Sequence, residues 1–219
     1  METPKQASWV IRKIFEARKW LTNGVQELET YVEKGKYSIK KAYISQMQQY
    51  AKPSWKSLYL TKGLMPRHQF IMWMALHQKL ATVERVIKWG INVAKECVLC
   101  TSGKDETMEH LFFECAYSKF VWDQLLQLFE INRTVGNWQE EVNWMTMKTK
   151  KRDMKWTILG NAFAATVYQI WRERNFRRFQ QISRESKDLV RDIVLHLHMR
   201  EENYCKWKGV LEKIDRFPC

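Results

Sequence analysis

Cys97-Val98-Leu99-Cys100-Thr101-Ser102-Gly103-Lys104-Asp105-Glu106-Thr107-Met108-Glu109-His110-Leu111-Phe112-Phe113-Glu114-Cys115 is the stretch on which the reading of this chain turns. Two cysteines separated by two residues can place both sulfurs on one tetrahedral ion through a tight turn, and a distant His/Cys pair completes four ligands. The run Thr101-Ser102-Gly103-Lys104-Asp105 between the pairs is polar and turn-forming, so the chain can reverse there. Thiolates are soft donors and imidazole is borderline, which favours zinc over calcium or magnesium. Four protein ligands leave no open position for water, so the expected ion is one structural Zn2+ held by Cys97, Cys100, His110 and Cys115. The alternative is a set of reduced, buried cysteines beside a satisfied core histidine. The clustering of three cysteines and a histidine within one short segment speaks against it.

Around this stretch the sequence reads as helices. Ser8 is placed to cap a helix bearing Val10, Ile14, Phe15, Arg18 and Leu21, which Asn23-Gly24 stops. A further segment carries Val25, Leu28, Tyr31 and Val32. Ser38 caps another with Ile39, Tyr43, Met47 and Tyr50 on one face, closed by Pro53. Pro66 suits a first helical turn. The residues after it, Phe70, Ile71, Trp73, Met74 and Leu76, are apolar all round and predict a buried helix. Thr82 is expected as the cap of a short helix ended by Gly90, and Ser118 as the start of one carrying Val121, Trp122, Leu125, Leu126 and Phe129.

From Asn132 to Lys155 the apolar period fades, which predicts a basic linker centred on Lys148-Thr149-Lys150-Lys151-Arg152. Beyond it Leu159, Phe163, Val167 and Ile170 form one stripe, and Leu189, Ile193 and Leu197 another. The two are expected to bury against each other as a helical hairpin. The fold class is therefore all-α with one Cys3His zinc site and a helical C-terminal tail. Its expected parts are an N-terminal helical extension (1–37), the zinc-binding domain (38–131), the basic linker (132–155) and a helical region (156–219).

Sparse glycine (8) and proline (4) in 219 residues agree with long regular elements. No run of about 18 uncharged apolar residues exists to span a membrane. The polar N-terminus predicts no signal peptide, and an odd number of cysteines, three of them clustered, argues against a disulfide framework. An intracellular location, nuclear or cytoplasmic, is expected.

The net charge of +13, from 37 basic and 24 acidic residues, points to a polyanionic partner, RNA or DNA before a membrane. Candidate contacts are Lys148, Lys150, Lys151 and Arg152 in the linker, and Arg172, Arg174, Arg177 and Arg178 beside Trp171, Phe176 and Phe179. Arg184, Lys187 and Arg191 follow. The competing view makes these arginines a solvated helix face and puts Trp171 and Phe176 in the core. The lysine run equally resembles a nuclear import signal. Trp73, Trp89 and Trp122 are expected to pack around the zinc. Of the other histidines, His77 is expected in a hydrogen-bonded core position. His68, His196 and His198 are assigned to no metal, and Cys205 and Cys219 are read as free thiols.

The run Pro66-Arg67-His68-Gln69-Phe70-Ile71-Met72-Trp73 leads to Leu76, Leu80 and Thr82, then Trp89-Gly90-Ile91, Cys97-Val98-Leu99-Cys100, Glu106-Thr107, His110-Leu111-Phe112-Phe113-Glu114-Cys115 and Val121-Trp122. This pattern closely resembles the zinc-binding domain that follows the reverse transcriptase in plant LINE-type (non-LTR) retrotransposons. Ser8-Trp9-Val10-Ile11-Arg12-Lys13-Ile14, Tyr37-Ser38-Ile39-Lys40 and Ile170-Trp171-Arg172-Glu173-Arg174-Asn175 resemble flanking segments of the same polyproteins. The resemblance implies the same four zinc ligands. It also implies a nucleic-acid-binding accessory domain that helps a reverse transcriptase hold its template or target.

No catalytic constellation accompanies it. There is no tyrosine followed two residues later by paired aspartates, no H-E-x-x-H, no phosphate-cradling glycine loop and no G-x-S-x-G. A non-enzymatic role is expected. The second reading is a protein-interaction module or inert retroelement fragment with the same fold and no affinity for nucleic acid.

Overall fold

The computed structural model describes Trp9, Arg12 and residues 29–33, 35–46, 51–151, 153–201 and 203–214. The helix expected from Ser8, the Gly24 stop, Met47, Tyr50, Arg152 and Cys219 lie wholly or largely outside them. The chain forms two compact units, Met1–Ala51 and Lys52–Cys219. In the first, a helical turn at Glu29–Tyr31 leads into a two-residue hairpin. Its strands are β1 (Val32–Glu33) and β2 (Lys36–Tyr37), antiparallel with Val32 opposite Tyr37. Helix α1 (Ile39–Gln46) follows, and the Ser38 hydroxyl accepts from Lys41 N–H at 3.4 Å, as a cap should.

The second unit is all helical apart from one isolated bridge, Glu96 to Asp105, among the described residues. Its helices are α2 (Lys56–Tyr59), α3 (Pro66–Leu76), α4 (Val83–Lys88), α5 (Ala116–Leu128), α6 (Trp138–Thr149), α7 (Met154–Gln180), α8 (Ser186–Glu201) and α9 (Lys208–Leu211). Pro66 occupies the first turn of α3, where its missing N–H costs nothing. Gly90, at φ +81, ends α4 as expected.

Helix α7 is the axle. At 27 residues it runs about 40 Å, and every residue from Ile158 to Val167 is buried. Helices α3, α5, α6 and α8 all pack on it. The stripes read from sequence are its core: Leu159, Phe163, Val167 and Ile170 are fully buried, as are Leu189 and Ile193 across on α8. Small residues let neighbours come close, and a Cβ on Gly160 would sit 3.1 Å from both Thr61 and Thr149. At the centre Phe113 stacks on Phe163 with centroids 5.5 Å apart, while Trp122 meets Phe163 edge-on at 5.1 Å.

The expected linker at 132–155 is corrected. Asn137 and Glu140 form a reciprocal capping box, and α6 follows with Trp138, Val142 and Met145 buried. The sequence hid this helix because a buried carboxylate, Glu141, interrupts the apolar stripe. It accepts from Trp122 Nε1 (2.9 Å), Gly136 N–H (2.7 Å) and Arg133 (2.5 Å). The region beyond 156 is helical as expected, and it shares one core with the cysteine segment.

Helix α3 is not buried all round. Met72 and Ala75 face the core, but Phe70 and Trp73 stack on each other outside it. His77 sits exposed at the C-cap, against the rings of Trp55 and Trp73, instead of in the core. Of the three tryptophans expected in the core, Trp122 is buried, whereas Trp73 and Trp89 are exposed. Trp171 and Phe176 are half-buried. Ser118 does not start α5, which begins at Ala116. It lies buried one turn in, where its hydroxyl donates to Cys115 C=O and accepts from Phe113 N–H.

Candidate metal centre

The first pair of cysteines is set by a short hairpin. Cys97 N–H donates to Lys104 C=O (2.9 Å) and Glu106 N–H to Lys95 C=O (2.8 Å), so the strands on either side of the turn are tied. Gly103, at φ +67, supplies the left-handed residue the reversal needs. Inside the turn the backbone N–H groups of Leu99 and Cys100 point at Cys97 Sγ, but the hydrogen bond to Cys115 and then burial push this thiol well above its usual value.

The second pair is set by one tight turn and a helix start. Cys115 N–H donates to His110 C=O at 2.7 Å, a five-residue closure that brings the two side chains together. The turn forces Phe113 to φ +79, a conformation costing a bulky residue about 1–3 kcal/mol. The buried aromatic stack around Phe113 offsets that cost. Cys115 is then the N-cap of α5, with N–H groups of Tyr117 and Ser118 directed at its sulfur. A helix N-terminus favours a thiolate.

The four donors converge, with all ligand atoms within 4.8 Å of one another. Cys97 Sγ lies 4.0 Å from Cys115 Sγ, and Cys100 Sγ 3.4 Å from His110 Nε2. A tetrahedral zinc at about 2.3 Å from sulfur and 2.0–2.1 Å from nitrogen requires donors about 3.5–3.8 Å apart. The residues therefore fit one such ion, and three sulfurs with one imidazole are the donor chemistry it takes. Burial lowers the His110 pKa, which keeps the ring neutral as a ligand must be. Cys115 is held below the usual thiol value, first by the hydrogen bond from Cys97 and then, against the effect of burial, by the N–H groups at the helix start.

Cations from α7 grip this lobe. Glu106 is fully buried just after the hairpin. It accepts from Arg174 Nε (2.9 Å) and Nη2 (2.6 Å), from Arg178 Nη2 (3.1 Å) and from Val83 N–H (3.0 Å). Arg178 also donates to Ala94 and Glu96 C=O, immediately before Cys97. Arg177 donates to the carbonyls of Val98 and Leu99, between the two cysteines, at 3.3 Å each. Buried Glu173 holds Arg177 (2.8 Å) and Arg184 (3.1 Å) in turn.

The eight basic residues picked from the sequence thus divide. Arg174, Arg177 and Arg178 direct most of their donors into the protein and brace the metal lobe. Arg172 lies half-buried over the Phe176 ring at 5.0 Å. Lys148 turns onto Trp156 and Trp144, 4.6 and 5.7 Å from their centroids. Lys150 and Lys151 are exposed at the end of α6, and Arg152 lies outside the described residues. Glu106 and Glu173 were missed as partners. The one available signal was a lone acid, Glu173, inside a run of arginines.

Residues 37–122 match the family described as zinc-binding in reverse transcriptase. All four converging donors fall inside that segment. No curated protein and no solved structure matches the chain.

Proposed function

We propose that the chain is a non-catalytic, zinc-stabilised accessory module derived from a LINE-type retroelement polyprotein of plants, and that it binds RNA or single-stranded DNA. The observation that carries the zinc assignment is the closed Cys3His constellation within the segment similar to a reverse-transcriptase zinc-binding family. With four protein donors the ion is structural. It cross-links the 96–105 hairpin to the start of α5, and its binding energy adds to folding. The nucleic-acid assignment rests on the net charge of +13 and on the retroelement similarity. No helix among the described residues is long and apolar enough to cross a membrane.

The test is a titration against single-stranded RNA, single-stranded DNA and duplex at several salt concentrations, with and without a chelator. Affinity should fall steeply with salt. Affinity that ignores salt, or no binding at all, would sink the reading. Metal analysis should return about one zinc per chain.

One feature favours a protein partner instead, a reverse transcriptase among the candidates. Phe70 and Trp73 stack on the outer face of α3, 59% and 38% exposed. Recovery of a single protein by the full chain after nuclease treatment, lost on Phe70→Ser, would favour that reading.

A further inference from the structure

An open cleft of about 1060 Å³ lies away from the metal lobe. It is walled by α2 and the loop after it, by the α6–α7 junction and by residues 203–207. Five lysines line it: Lys52, Lys56, Lys62, Lys150 and Lys206. No aspartate or glutamate is among the described residues that line it. All five lysines are exposed, and none forms an ion pair among the described residues. Like charges gathered this way repel one another unless an anion lies between them.

Most of the hydroxyl groups of the cleft are already committed. Ser57 Oγ donates to Thr146 C=O (2.9 Å), Thr61 Oγ1 to Ser57 C=O (3.1 Å) and Thr157 Oγ1 to Asp153 C=O (2.9 Å). Tyr204 lies flat on the buried Trp207, centroids 5.1 Å apart, with Lys62 and Arg200 over its ring. One face is therefore covered by Trp207, and two cations lie near the ring. The most numerous free donors are ammonium groups, flexible point charges suited to phosphate.

We propose that this cleft is the track for the sugar-phosphate backbone of a single-stranded nucleic acid, held without base preference. A flexible strand follows a concave, positively charged groove. A duplex presents a convex, stiff rod whose phosphates meet only the rim. The proposal rests on the nucleic-acid reading above and gives it a location.

The experiment uses the zinc-loaded full chain and labelled oligo(U) and oligo(dT) of about 20 nucleotides, a length spanning the usual site sizes. Binding is followed by anisotropy between about 50 and 200 mM salt. Each lysine withdrawn from a single-strand phosphate should flatten the slope of log K against log salt by about 0.7. Lys56→Gln, Lys62→Gln and Lys206→Gln together should therefore flatten it by about 2, weakening both oligomers alike, with zinc content and circular dichroism unchanged. Lys119→Gln, on exposed α5 surface, should leave the slope as it was. A triple variant that keeps the wild-type slope overturns the cleft while leaving the nucleic-acid reading standing. A wild-type preference for duplex also overturns it. Wild-type protein that binds no oligomer sinks the nucleic-acid reading, and the cleft with it.

Discussion

The arginines of α7 and the lysines of the cleft carry the same charge and live opposite lives. Arg174, Arg177 and Arg178 reach buried carboxylates and loop carbonyls, with fork geometry matched to planar acceptors. Lys52, Lys56, Lys62, Lys150 and Lys206 meet no carboxylate among the described residues. The difference teaches that basic charge in this sequence falls into two structural sets, told apart by whether an acid is folded in beside it. Arginine density alone did not show which of these cations are folded onto acids and carbonyls.

The largest effect should come from breaking what the arginines brace. Zinc sites of this kind contribute apparent binding energies of about 10–16 kcal/mol in small peptides. Cys115→Ser should abolish metal retention and unfold the lobe, read as lost zinc stoichiometry and a much lower urea midpoint. Hydrogen exchange should quicken both at Val98–Cys100 and near Arg177, since the two are bonded to each other.

Next comes the bracing itself. Arg174→Met leaves Glu106 with part of its charge unpaired in the core, and should cost about 3–5 kcal/mol by urea unfolding. Removing both members, with Glu106→Leu added, should recover part of that loss, because much of the cost of a broken pair is the stranded partner. Equal loss in single and double variants would show the pair to be ordinary packing.

His68 sharpens the contrast from a third side, as a place where positive charge is refused. Burial, then Arg67, His196 and Arg200, lower its pKa to about 3. The unfolded chain takes a proton there below about pH 6.5 while the folded chain declines it. Stability should therefore fall as pH drops from about 6.5 towards 3, by up to about 1.4 kcal/mol per unit from this group. His68→Leu should remove that part of the slope, measured by urea unfolding at about pH 7, 6 and 5. An unchanged slope would mean the ring is protonated in the fold.

The smallest effect separates the two cation sets most cleanly. Lys62→Gln or Lys206→Gln should change stability by less than about 0.5 kcal/mol, as exposed side chains away from caps and cores do. A larger loss would place those lysines in the structural class.

Much of this was legible in the sequence because it is local or periodic. The ligand spacing, the α7 and α8 stripes, the start at Pro66 and the stop at Gly90 are short-range signals, and the structure keeps them. What failed was long-range. Glu141 made α6 look polar because its partners Trp122 and Arg133 lie outside the helix. Trp73 and Trp89 looked like core because hydrophobicity carries no address. Glu106 meets Arg174 across 68 residues, and nothing in either neighbourhood announces the pairing. The cleft was invisible for the same reason: its five lysines come from distant parts of the chain, and only Lys150 stood out beforehand.

The grip of α7 on Glu106 has a consequence for heredity. The portion that resembles a known family ends at residue 122. A duplication or excision carrying only that portion would take all four metal ligands but leave Arg174 and Arg178 behind, with their partner Glu106 stranded in the interior. The smallest piece that can be transplanted intact must extend through Arg178, so the unit that recombination can move is longer than the unit that sequence similarity can see.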